Sequence, residues 1–172
     1  MPSDDNGTLE TRDGRAFLRF ERHLDHPVER IWAALTEPPE LIGWLAEAEI
    51  DLVEGGRVVF RWLNSDEAGN QAVLHGTITE LDPPRVIEHD SDIHGLLRWE
   101  LREEGSGCHL VFTATVALPE DYKTEVLAGW HIHLDHLADA LDGKAVNWPT
   151  WAADHMGRWK EYQERYAAAV SP

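Results

Sequence analysis

The chain is poor in the residues that staple, anchor or carry positive charge. Only one of its 172 residues is cysteine, Cys108. An internal disulfide is therefore excluded, and a lone thiol suits a reducing cytoplasm. Cys108 itself reads as a small half-buried strand residue rather than a nucleophile. Lysine and arginine together number 15 against 32 Asp and Glu, a formal net charge of -17. Such a field repels phosphate backbones and anionic lipid. Arg57, Arg61, Arg85, Arg98 and Arg102 are scattered among carboxylates, so nucleic acid is not expected as a partner. No window is a long uncharged apolar run, and the opening MPSDDNGTLE lacks a basic-then-apolar leader. The expectation is a cytoplasmic protein without membrane insertion. G-x-S-x-G, H-E-x-x-H, a phosphate-cradling loop and a Ser-His-Asp spacing are also missing. No catalytic residue, metal or cofactor is assigned on motifs.

Aromatic residues are what the chain has in quantity. Its eight tryptophans exceed what solubility needs and imply a core, a pocket or an interface. Residues 1–14 are polar and Asp/Gly-rich and read as a flexible tail. RAFLRFERHL reads as a strand. DHPVERIWAAL reads as a helix with Pro27 at its first position and Val28, Ile31, Trp32 and Leu35 on one face. Pro38-Pro39 breaks that helix, and ELIGWL forms a further short turn. From Glu49 to Val116 apolar and polar residues alternate between turn signals, as in Val58, Phe60, Trp62 and in Leu110, Phe112, Ala114, Val116. This is the pattern of an antiparallel sheet with one covered face. With the first strand it makes about six strands.

The stretch HIHLDH, His131 to His136, matches the H-x-H-x-D-H zinc signature of the metallo-β-lactamase fold. Its flanks argue against that reading. Leu127, Trp130, Leu134, Leu137 and Leu141 recur every three or four residues as a helix stripe, and Gly143 stops it. On a helix, positions i and i+2 point about 200° apart, so His131 and His133 cannot share a metal. The histidines and Asp135 are expected on solvated flanks of the stripe, with His136 tolerant of truncation. Beyond Gly143, residues 144–172 read as a helical extension. Its stripe of Trp151, His155, Trp159, Tyr162 and Tyr166 is expected to dock on the domain, outside the grip, rather than meet a second copy or protein partner.

The stretches HPVERIWAALTEPPELIGWL, EGGRVVFRW, GTITELDPPRVI, LRWELREEGSGCHLVF and GWHIHLDHLADAL, in this order and spacing, resemble the activator of heat-shock-protein-90 ATPase homologue-like (AHSA-type) family. That family lies within the START-like, or SRPBCC, superfamily. The resemblance spans about residues 15–143 and implies an α+β helix-grip fold. In that fold a curved antiparallel sheet wraps a long C-terminal helix, with an apolar cavity between them. The family brings no invariant catalytic set to transfer. The expectation is thus a non-catalytic domain binding a small hydrophobic molecule, with Trp44, Phe60, Trp62, His75, Trp99, Phe112, Trp130 and His133 as cavity wall. Two alternatives stand beside it. One is a cyclase- or hydrolase-like enzyme using pocket histidines, among which His75, His89 and His133 have suitable positions. The other is a stress-related, co-chaperone-like interaction module.

Overall fold

The computed structural model describes residues 5–64, 69 and 71–170. Its centre is one curved sheet of eight antiparallel strands in the order β1-β2-β8-β7-β6-β5-β4-β3. The strands are β1 (Thr8–Arg12), β2 (Arg15–Leu24), β3 (Glu47–Ile50), β4 (Arg57–Arg61), β5 (Val73–Asp82), β6 (Val86–Ser91), β7 (Gly95–Glu104) and β8 (Gly107–Val116). Helices α1 (Val28–Thr36) and α2 (Pro38–Leu41) follow β2, and α3 (Lys123–Leu141) and α4 (Trp151–Val170) close the chain.

Two of these strands depart from the sequence expectation. The tail expected over 1–14 forms edge strand β1 from Thr8, paired in register with β2 from Thr8↔Arg19 to Arg12↔Arg15. Main-chain hydrogen bonds hold it. TLETR has only Leu9 to bury, so no apolar alternation advertised it. Strand β3 is the other addition, a four-residue edge on β4. The prolines at 38 and 39 do not only end α1. They occupy the first turn of α2, where their fixed φ and missing N–H suit a helix start.

The inner face of the sheet is built on strict alternation. Leu18 and Phe20 of β2, Leu97, Trp99 and Leu101 of β7, and Leu110, Phe112 and Ala114 of β8 are all buried. Register then brings rings together: Trp99 lies directly opposite Phe112, and Phe112 opposite Phe20. Trp99 stacks on Phe112 at 4.1 Å between centroids, a cross-strand pair of the kind that stabilises sheets by about 0.2–1 kcal/mol. The α3 stripe of Leu127, Trp130, Leu134, Leu137 and Leu141 is buried on this face, with Trp130 4.6 Å from Phe112. From the other side Trp44 meets Trp99 edge-on at 5.8 Å and donates its indole N–H to the Ala34 carbonyl at 2.8 Å. Aromatic contacts thus fill the part of the sheet–helix space around Trp99 and Phe112.

Candidate ligand-binding site

The open volume lies instead at one end of α3. A cleft of about 340 Å³ is walled by Glu125, Val126, Gly129, Trp130, Ile132 and His133 of α3. Trp62, Asn64, Gln71 and Ala72 from the β4–β5 connection form a second wall, His94 from the β6–β7 turn caps it, and Trp151 and Trp159 of α4 complete it. Helical spacing explains the α3 contribution: positions 125, 126, 129, 130 and 133 share one side of the helix. Gly129 is on that side, and a Cβ built there meets nothing within 4 Å, so the missing side chain is part of the opening. His94 is placed by the turn that Gly95 makes with φ 68°, where a Cβ would run into the Thr115 carbonyl oxygen at 2.1 Å. Only glycine fits that close approach.

The rings of this wall form a continuous set. Trp62 and Trp130 are 6.4 Å apart and nearly perpendicular, and His94 lies 5.4 Å from each. His133 donates from Nδ1 to the Trp44 carbonyl at 3.0 Å. A carbonyl can only accept, so Nδ1 carries the proton and Nε2 keeps a bare lone pair. Burial holds His133 neutral, its pKa lowered to about 4 against the opposing Trp44 carbonyl. Burial likewise lowers His94 to about 4, with a charge on His133 adding to it and Asp92 opposing. Glu125 is exposed at the edge of the cleft.

The sequence-derived wall residues divide three ways. Trp62, Trp130 and His133 line the cleft. Trp44, Phe60 and Trp99 line only a gap of about 10 Å³ between the sheet and α1–α2, too small for a ligand, while Phe112 is wholly packed. His75 is exposed on the outer face of β5, its backbone N–H bound by the Asp92 carboxylate at 3.0 Å. One step in β5 decides this, because Leu74 takes the inward position. Trp151, Trp159 and His94 were missed as cleft residues. The helical aromatic stripe was the available signal for the first two, but it was read as lying outside the grip.

The HIHLDH segment is corrected more deeply. His131, His133 and His136 are all buried, not on solvated flanks: α4 covers His131 and His136, while His133 lies against Trp44 and Trp148. Tyr166 accepts the Gly7 N–H at 2.8 Å, and its hydroxyl is hydrogen-bonded to His131 Nδ1 at 2.7 Å. Tyr162 stacks on the His131 ring at 4.0 Å and donates to the Asp135 carboxylate at 2.5 Å. Trp151 Nε1–H donates to His136 Nε2 at 3.0 Å. His136 therefore carries its proton on Nδ1, which is buried without a partner. The motif is a polar seam between two helices, and its side chains diverge. Among the described residues no group of three or more His, Cys, Asp or Glu is placed to hold a metal ion. Trp151, Tyr162 and Tyr166 are buried within the chain, so the stripe docks on the domain, with Trp159 half-buried beside the cleft.

A curved antiparallel sheet closed over a long helix, with an aromatic cleft at the helix end, defines a START-like helix-grip domain, a fold of the ligand-binding type. The chain belongs to the Activator of Hsp90 ATPase homolog 1-like protein family, whose profile matches residues 25–142. Among solved structures it is similar to CalU16 from Micromonospora echinospora, at 25% identity and TM-score 0.70 with 94% of each chain covered. It is also similar to a conserved protein of unknown function from Enterococcus faecalis, at 18% identity and TM-score 0.68, covering 96% of this chain and 92% of that one. A protein from Rhodobacter sphaeroides matches at 23% identity and TM-score 0.63, covering 80% of this chain and 99% of that one. No curated protein matches the sequence. No helix among the described residues is long and apolar enough to cross a membrane.

Proposed function

We propose that this protein reversibly binds a small apolar molecule in the cleft beside Gly129 and does no chemistry on it. The observation that carries the reading is the convergence of four tryptophans, Trp62, Trp130, Trp151 and Trp159, around about 340 Å³ of open space. That volume is at the lower end of small-molecule pockets, about 300–1,000 Å³. An apolar wall facing such a space lacks contacts that a ligand restores while leaving water. A catalytic reading would call for a base poised near neutrality, whereas burial holds both cleft histidines at about 4. An interaction module working through the α4 stripe would have to expose residues that are packed on α3.

Nile red, a neutral dye that the -17 charge does not repel, tests the proposal. Titration is expected to show one saturable site and to quench tryptophan emission. Gly129→Leu projects a side chain into the cleft and is expected to abolish binding. The same change should raise stability by about 0.5–1 kcal/mol, since glycine is a poor helix residue. Dye binding undiminished in a stably folded Gly129→Leu protein would remove the cleft from consideration.

A further inference from the structure

We infer that the cleft selects uncharged planar aromatic compounds carrying a hydroxyl donor, and that His133 Nε2 is the acceptor that reads the hydroxyl. This rests on the binding role proposed for the same cleft and specifies its ligand class. The tautomer argument comes first. With Nδ1–H committed to the Trp44 carbonyl at 3.0 Å, the only polar group His133 can offer the cleft is a lone pair. No protein hydrogen bond to Nε2 occurs among the described residues, yet this atom is not among the sealed, unpartnered nitrogens. A lone pair at the edge of an apolar space calls for a donor from whatever fills that space.

Shape and charge narrow the class. Trp62, Trp130 and His94 meet edge-on at 5.4–6.4 Å, presenting ring faces and edges that flat π-systems match. Glu125 at the cleft edge and the -17 net charge disfavour carboxylates and phosphates. His94 adds ring surface rather than a hydrogen bond, since its Nδ1 is sealed away from the cleft without a partner. A hydroxyl on such a ring system donates, so it answers the His133 lone pair. An ether on the same ring system cannot donate and leaves the His133 lone pair unpaired. Pockets built around a hydrogen bond reject such analogues more sharply than apolar pockets reject a change in size.

The test compares β-naphthol, its methyl ether and β-naphthoic acid by calorimetric titration of the full chain at neutral pH. β-Naphthol is expected to bind about tenfold or more tighter than the ether, and the naphthoate weakest of the three. In the same protein, the imidazole nitrogen NMR signal of His133 Nε2 is expected to shift with β-naphthol and stay put with the ether. His133→Phe should bind naphthol and ether alike. The NMR comparison uses the unaltered chain, so the outcome stands even where that variant fails to fold. Equal binding of naphthol and ether, with no Nε2 shift, overturns the hydroxyl assignment while leaving the apolar cleft in place. Tightest binding by the naphthoate overturns the charge argument. Failure of all three to bind, together with Nile red, overturns the cleft itself.

Discussion

The two faces of α3 are buried by different chemistry. Toward the sheet it presents Leu127, Trp130, Leu134, Leu137 and Leu141, and the opposing surface is Phe112, Trp99 and their neighbours. Nothing polar is needed there, so contact is set by shape and area. Toward α4 it presents His131, Asp135 and His136, each answered by one named group: Tyr166, Tyr162 and Trp151. The first face resembles any sheet–helix core. The second is a polar seam in which each hydrogen bond adds modestly, but each orphaned group costs its full desolvation. The same helix therefore tolerates volume errors poorly on one face and protonation errors poorly on the other.

Acid should have the largest effect, acting through the buried histidines of the polar face together with three others. Burial lowers His131 to about 3, His133 to about 4 and His136 to about 2, and it lowers His89 and His94 to about 4. Above the unfolded value of about 6.5 both states are neutral, and these groups make stability independent of pH. Below it the unfolded chain takes up protons that the folded chain refuses, so stability falls by about 1.4 kcal/mol per pH unit for each such histidine. For His89, His94 and His133 the loss continues down to about pH 4, where they protonate in the fold as well, and for His131 and His136 it continues below that. Urea midpoints measured across this range should drop steeply, and a midpoint flat from neutrality to pH 5 would contradict the buried seam.

Leu134→Ala probes the apolar face. Leu134 is buried to 1% exposure, and its truncation should cost about 2–5 kcal/mol with no change in the pH profile. His136→Ala probes the polar face and should cost about 1–3 kcal/mol, because Trp151 Nε1–H is left buried without an acceptor. Its acid sensitivity should fall by one histidine's share. A loss below about 0.5 kcal/mol, as on an exposed flank, would mean that α4 is not docked as described.

Legibility followed the same division. The α3 stripe, the inward alternation of β7 and β8 and the family resemblance over most of the chain were readable, because periodicity reports which residues share a face. The polar face was not. His131, Asp135 and His136 look like a solvated flank until the position of α4 is known, and periodicity in α4 says that it docks without saying where. For the cleft, Trp62, Trp130 and His133 were named from the sequence, whereas Trp151, Trp159 and His94 were not. Phe60, Trp99 and Phe112 have the right aromatic character and the right face, yet Trp99 and Phe112 stack on each other and Phe60 is buried against Trp62 and His89. His75 fails for a local reason, since Leu74 holds the inward step of β5.

By itself the sequence determined that a sheet and a long helix would share an aromatic core, because alternation and helical spacing are local properties of the chain. It also determined the acidic surface, since charge is additive. Only the tertiary structure decided that a zinc-like motif would become a helix–helix seam and that the open volume would lie at the end of α3 rather than beneath it. Both depend on where α4 comes to rest and on which rings fill space first. Those outcomes are set by contacts between residues far apart in sequence, such as Tyr166 with Gly7 and Trp151 with His136, and no local pattern encodes their partners.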